Sequence, residues 1–88
     1  MQRDEDIAAF VAERNAALLS LDEAVIRAYA VKWKAPLPAE PWVFWAAVHS
    51  ARVHITNLPM EARTLSKRWL RDNGAERLLA QVPADVPG

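Results

Sequence analysis

The residues best suited to chemistry lie in one short stretch, PWVFWAAVHSARVHI, between Pro41 and Ile55. It carries two histidines, His49 and His54, together with Arg52. An imidazole can serve as a general base, activate a serine nucleophile or bind a metal ion. The two histidines are five residues apart, whereas paired metal ligands on one helix face are four apart. Because the chain also has no cysteine, we expect no metal site and no cofactor.

Nucleophilic and phosphate chemistry are also poorly supported by the residue pattern. Ser20 falls in a helix-capping pattern, and Ser50 and Ser66 have no histidine–acid pattern around them. The two glycines, Gly74 and Gly88, are too few and too far apart for a phosphate-binding loop. We therefore predict that the protein is not an enzyme and has no small-molecule substrate.

The same stretch is rich in aromatic rings, and two helix faces account for them differently. Helical periodicity predicts that one face is core; its members are Phe44, Trp45, Val48 and Ile55. A rotated face combines a ring with polar groups, a mixture enriched in protein-binding surfaces. We therefore name Trp42, His49 and Arg52 as candidate contact residues for a partner protein. The alternative is that Trp42 packs against the preceding prolines and that Arg52 is solvated.

A second candidate surface is basic and lies in NLPMEARTLSKRWLRDNG, residues 57–74. Its segment ARTLSKRWL, residues 62–70, resembles the recognition helix of helix-turn-helix proteins. The resemblance implies that Leu65 and Trp69 pack inward while polar side chains face nucleic acid; these candidates are Arg63, Thr64, Lys67, Arg68 and Arg71. The usual turn glycine is replaced by residues 56–59. The alternative is an ordinary amphipathic helix with a solvated basic face.

Length and composition restrict the organisation of the chain. With 88 residues it has room for one domain, and 52% of its residues are hydrophobic, including four tryptophans. No secretory signal and no apolar run of about 20 residues is visible, so we expect a cytoplasmic protein without a membrane span. Residues 1–30 have six acidic side chains against three arginines, and residues 31–88 have eight basic side chains against five acidic ones.

The elements that must position these residues are predicted to be helices. Apolar spacing, capping residues and prolines indicate four of them; their predicted bounds are 4–19, 21–33, 41–55 and 59–73. Ser20 and Glu23 match a capping box at the start of the second helix. Pro59 suits the first turn of the fourth helix, with Thr56 or Asn57 as its cap. Gly74 suits a left-handed helix end.

These elements predict an all-α fold, a compact bundle of about four helices with a proline-rich connection at 34–41. We expect one domain over residues 1–80, one short helical turn after Gly74 and a loose tail at 81–88. The predicted core consists of Phe10, Leu18, Val25, Tyr29, Trp33, Phe44, Trp45, Val48, Ile55, Leu65 and Trp69.

The order of motifs in residues 37–74 also resembles small uncharacterised proteins of actinobacteria and their phages. The features are a proline-rich link, then FWxxVHxAR, then LP…R…SKRWL…G. The resemblance implies no activity, ligand or catalytic residue. The 17 alanines, and eight arginines against three lysines, fit a GC-rich bacterial or phage genome.

Taken together, these features predict a small non-catalytic protein that acts by binding another protein or itself. A homodimer is the simplest form of self-association, and the acidic first helix could meet the basic fourth helix of a neighbour. The alternative is nucleic-acid binding through the basic helix at 59–73.

Overall fold

Helices make up all the regular structure in the part of the chain, residues 3–79, that the computed structural model describes. Four α-helices and a short 3-10 helix follow one another: α1 (Arg3–Ser20), α2 (Glu23–Trp33), α3 (Pro41–His54), α4 (Met60–Asp72) and η1 (Glu76–Leu79). The all-α prediction with four helices is confirmed, and each predicted helix bound lies within two residues of the observed one. The short turn expected after Gly74 is η1. No helix in this part combines the length and the apolar character needed to cross a bilayer.

The chain divides between Ala39 and Glu40 into two compact units. The first contains α1, α2 and most of the proline-rich connection, and the second contains α3, α4 and η1. The predicted single domain over residues 1–80 stays a prediction. The predicted tail at 81–88 lies outside the described residues.

In the first unit, α1 and α2 pack through aromatic side chains and one bridging carboxylate. The Phe10 ring lies 5.9 Å from the Tyr29 ring and meets the Trp33 ring edge-on at 5.4 Å. Trp33 Nε1 donates to Glu13 Oε1 (3.0 Å) while Lys32 Nζ donates to Glu13 Oε2 (2.8 Å). These two bonds hold the pKa of the Glu13 carboxyl below its usual value. Small and branched residues fill the space beside them: Ala17, Leu18, Ile26 and Ala30 are buried.

The cap of α2 differs from the sequence prediction. The N-cap is Asp22, whose side chain accepts from the backbone N–H groups of Ala24 and Val25. Ser20 instead ends α1, where its hydroxyl donates to Ala17 O at 2.6 Å and accepts from Asp22 N–H. The predicted capping box of Ser20 and Glu23 is therefore wrong. Aspartate and serine are about equally strong N-caps. Asp22 is the cap here because it lies immediately before α2, whereas Ser20 lies two residues earlier.

In the second unit, α3 packs against α4, and η1 closes one end. Val53, Leu70 and Ala75 are buried together, with Trp69, Leu78 and Leu79 packed around them. His54 Nε2 donates to Leu78 O at 2.9 Å, which ties η1 to the end of α3. The short connection Ile55–Pro59 brings α4 back against α3, and Leu58 in it is buried.

Both ends of α4 are set by backbone geometry. Pro59 is the N-cap itself and α4 has no side-chain cap, so the predicted capping by Thr56 or Asn57 is wrong. At the other end Gly74 has φ +77°, as predicted. Ala75 N–H donates to Leu70 O (2.8 Å) and Gly74 N–H donates to Arg71 O (3.4 Å). This pair of bonds is a Schellman motif. The motif requires a positive φ at the position of Gly74, and glycine adopts that conformation without steric strain.

Two residues of the predicted core are exposed. Val25 on α2 and Leu65 on α4 keep 44% and 55% of their surface. On α4 the buried positions are Ala62, Ser66 and Leu70, and Leu65 lies about 100° around the helix from Ser66, outside the buried face. The sequence favoured Leu65 because it is apolar and lies four residues before Trp69. Ser66 lies at the centre of the buried face, but hydrophobic periodicity could not predict this because serine is polar.

Two matched leucine substitutions on α4 test this arrangement. We expect Leu70→Ala to lower the free energy of unfolding by about 2–5 kcal/mol, because a fully buried leucine leaves a cavity. Leu65→Ala is expected to cost less than about 1 kcal/mol, because little surface is buried there. Urea unfolding followed by tryptophan fluorescence measures both. Equal losses of unfolding free energy in the two variants would contradict the burial of Leu70 and the exposure of Leu65.

Candidate functional site

Helix α3 carries all three candidate residues for protein contact, and its first turn is fixed by an N-cap and a proline. Glu40 is the N-cap, with Oε1 accepting from Val43 N–H at 2.9 Å. Pro41 occupies the first helical position, as predicted, where its missing N–H costs no hydrogen bond. The capped start fixes the direction in which Trp42 and Val43 leave the helix.

His49 lies inside the second unit, where α3 meets α4. It is 6% exposed, and its Nδ1 is hydrogen-bonded to Ser66 Oγ at 2.8 Å. The imidazole stacks on the Trp69 ring at 4.5 Å and lies 6.1 Å from the Trp45 ring. His49 is therefore an interior residue that joins the two helices.

Arg52 is also buried, with 2% of its surface exposed. Its Nη2 donates to the backbone oxygen of Ala62 at 3.0 Å, so it also links α3 to α4. Neither prediction for Arg52, a surface contact or a solvated cation, matches this position. An arginine this buried is unusual because desolvating a guanidinium is costly.

Burial and a neighbouring charge act on the protonation of His49. Burial first, and then the positive charge of Arg52, lower the pKa of His49 from its usual value to about 4. Burial also lowers the pKa of Arg52. At neutral pH the imidazole is therefore uncharged, which allows it to lie beside a guanidinium.

His49 and Ser66 are as close as a catalytic base and its nucleophile, but solvent and substrates cannot reach them. Ser66 is 0% exposed, so a substrate cannot reach its hydroxyl in this conformation. Sequence spacing missed this pair because the two residues come from different helices. Among the described residues no cluster of histidine and carboxylate side chains could hold a metal ion.

Trp42 points away from this interior. It is 40% exposed and its neighbour Val43 is 43% exposed, and both border a shallow groove of about 550 Å³. We call it the α3 groove. Its lining from α3 is Trp42, Val43, Ala46, Ala47, Ser50 and Ala51, and its lining from η1 is Arg77 and Leu78.

The three candidate contact residues are therefore not brought together. His49 and Arg52 face the interior and Trp42 faces the groove. Sequence reasoning missed Val43, which continues the exposed apolar surface, and the two residues from η1. The four small residues Ala46, Ala47, Ser50 and Ala51 were a usable signal, since small side chains on a helix leave room for a neighbour.

The basic residues of α4 are only partly assembled into one face. Thr64, Arg68 and Arg71 are exposed and Lys67 is half-buried. Arg63 is half-buried, and its Nε donates to Val53 O at 3.4 Å, which turns it toward α3. The exposed side of α4 also includes Leu65 and two acidic residues, Glu61 and Asp72, and Arg71 lies 3.8 Å from Glu76.

The first unit has its own groove of about 560 Å³ beside the proline-rich connection. Arg27 and Lys34 contribute its cations, and Val31 contributes aliphatic surface. Arg27 is engaged at Glu23 Oε2 (2.8 Å) and Pro38 O (3.4 Å), which ties the connection to α2. The lining contains no aromatic ring, so it lacks the anchor that the α3 groove has.

Comparisons of this chain with protein-family models, with curated proteins and with solved structures gave no match. The resemblance to small proteins of actinobacteria and their phages stays a prediction.

The burial of His49 predicts a specific sensitivity to acid. In the unfolded chain its pKa is about 6.5, whereas in the fold it is about 4. The unfolded state therefore binds the proton first, and stability that is complete above pH 6.5 is lost as the pH falls toward 4. We expect a loss of about 2–3 kcal/mol between pH 7 and pH 4.5 from this residue, measured by urea unfolding.

The control variants separate His49 from other titrating groups. His49→Gln keeps a neutral hydrogen-bonding side chain, so its stability should fall less over the same pH range. His54→Gln removes the exposed histidine and should keep the full acid sensitivity. If His49→Gln is as acid-sensitive as the natural chain, the explanation is wrong.

Proposed function

We propose that this protein is a small non-catalytic binding protein that acts in the cytoplasm and recognises another protein through the α3 groove. One observation carries the proposal: α3 exposes Trp42 and Val43 while it buries His49 and Arg52. Large apolar side chains are normally placed inside and cations outside. An exposed tryptophan next to a shallow apolar groove is the composition of a binding hot spot.

The lining of the α3 groove supports recognition of a protein segment more than of a small polar ligand. Ala46, Ala47 and Ala51 form a smooth apolar floor, and Ser50 and Arg77 supply the polar groups. A floor of small side chains admits a helix or a row of apolar side chains at close range. Trp42 can bury much additional surface at little cost in conformational entropy, because a ring has few rotatable bonds.

The absence of catalysis is part of the same proposal. The best nucleophile–base geometry in the described residues, Ser66 with His49, is closed to solvent and serves to join α3 to α4. The groove itself has one hydroxyl, from Ser50, and one cation, from Arg77. Neither is accompanied by a base in the lining.

Site-specific photo-crosslinking in cells that naturally make the protein tests the proposal. A benzophenone amino acid replaces Val43 in the α3 groove, or Leu65 on α4 as a control that is at least as exposed. We expect a discrete adduct from position 43 and none from position 65, because only the groove is in contact with the partner. Trp42→Ala should abolish the adduct at position 43, whereas Met60→Ala, a change at another exposed residue, should not.

The result would contradict the proposal in two cases. One is that position 43 gives no adduct above the background of position 65. The other is that the adduct at position 43 persists unchanged in Trp42→Ala, because the ring would then contribute nothing to recognition.

Nucleic-acid binding is the second candidate, and one observation favours it. Arg68 and Arg71 are exposed near Thr64 on α4, with Lys67 beside them. The neighbouring carboxylates Glu61 and Asp72 reduce the attraction for phosphate on that side, so we rank this function below protein binding.

Fluorescence anisotropy of labelled duplex DNA at ~50 and ~200 mM salt separates the two functions, because several phosphate contacts lose orders of magnitude in affinity over that range. We expect no such binding. Salt-sensitive binding that Lys67→Ala/Arg68→Ala removes, and that Lys32→Ala/Lys34→Ala keeps, would make nucleic-acid recognition the leading function.

A further inference from the structure

The α3 groove has the shape that a two-fold contact between identical surfaces requires. In such a contact each surface meets its own copy in reverse order, so large features at one end need space at the other. Val43 is 43% exposed near the start of α3, and the smaller Ser50 lies on the same face of the helix two turns later, where both line the α3 groove. The groove is therefore complementary to itself in the antiparallel direction.

The spacing along α3 defines a register for such a pair. If the two-fold axis passes midway between Val43 and Ser50, beside Ala47, Val43 of one copy lies over Ser50 of the other, because residues seven apart share one face of a helix. Val43 and Ser50 are separated by about 10 Å along the helix axis, at about 1.5 Å per residue. The small side chain of Ala47 at the centre allows two helices to approach closely.

Charge favours the same direction. Glu40 is exposed at the start of α3, and Arg77 lies on η1, which the bond from His54 to Leu78 ties to the end of α3. Antiparallel pairing brings Glu40 of each copy toward Arg77 of the other, whereas parallel pairing brings like charges together. The helix dipoles also favour the antiparallel arrangement.

We propose that the protein recognised by the α3 groove is a second copy of this chain, bound by two-fold antiparallel pairing of the two grooves. This inference rests on the proposed function and names its partner. The contact covers about three helical turns, so it belongs to the small class of interfaces that form weak dimers. It places the axis on α3 and leaves the basic side of α4 outside the contact.

Single introduced cysteines test the register directly, because the natural chain has no cysteine. Ala47→Cys places two thiols beside the axis, within the distance that a disulfide can bridge. Val43→Cys alone places its thiols too far apart, whereas a mixture of Val43→Cys and Ser50→Cys brings unlike chains together. Leu65→Cys on α4 is the control for random collision.

We expect Ala47→Cys to form a covalent dimer about tenfold faster than Leu65→Cys under mild oxidation, because pairing raises the effective concentration of the thiols. The mixture of Val43→Cys and Ser50→Cys should crosslink faster than Val43→Cys alone. Sedimentation of the unmodified chain at about 100 µM, a concentration suited to a micromolar dimer, should show a mass above 9.9 kDa. Trp42→Ala should return it to the monomer.

Other outcomes overturn the inference in distinguishable ways. Fast crosslinking of Val43→Cys alone would show parallel pairing, and equal rates for Ala47→Cys and Leu65→Cys would show random contact. A monomer at 100 µM without preferential crosslinking would exclude a second copy as the partner. In that case a photo-adduct from position 43 to a different protein would preserve the proposed function, and no adduct at all would remove both.

Discussion

The burial of Arg52 is the constraint on which the rest of the second unit depends. A guanidinium removed from water needs acceptors, and Ala62 O on α4 supplies one at 3.0 Å. This bond connects the first turn of α4 to the last turn of α3, and the short connection at 55–59 allows the two helices to meet there. Burial first, and then this positive charge, lower the pKa of His49, so the imidazole that is hydrogen-bonded to Ser66 is uncharged at neutral pH.

This inverted polarity has a consequence for the outside of α3. Since His49, Arg52 and Phe44 occupy the buried sides of the helix, Trp42 and Val43 are left at the surface, beside the small residues of the α3 groove. Helix α3 therefore adds His49 and Arg52 to a buried face that is otherwise apolar, and it leaves two large apolar side chains outside. The two buried polar groups connect α3 to α4 through directional hydrogen bonds, and the exposed apolar pair is the surface on which the proposed recognition depends.

The first unit is held together by aromatic packing and a carboxylate near the surface, without a buried cation among its described residues. Its two helices meet through the rings of Phe10, Tyr29 and Trp33, and Glu13 accepts bonds from Trp33 and Lys32 near the surface. Contacts of this kind come from residues on facing sides of adjacent helices and follow helical periodicity closely. Sequence reasoning therefore identified the three rings and Leu18, but its predicted core left out Ala17, Ile26 and Ala30 and wrongly included Val25, which is 44% exposed.

The sequence by itself determined the class and the limits of the helices, because prolines, caps and apolar periodicity act within one turn or two. It determined the break at the proline-rich connection and the positive φ of Gly74 for the same reason. Periodicity also predicted correctly that Phe44 and Val48 of α3 are inside. Only the tertiary structure decided that His49, Arg52 and Ser66 are buried with them. A buried arginine, histidine and serine contradict the polarity rule that periodicity uses, and their partners, Ala62 O, Ser66 and Trp69, come from another helix. The α3 groove could not be predicted either. Arg77 and Leu78 line it because η1 packs against the end of α3, and no local sequence pattern specifies that contact.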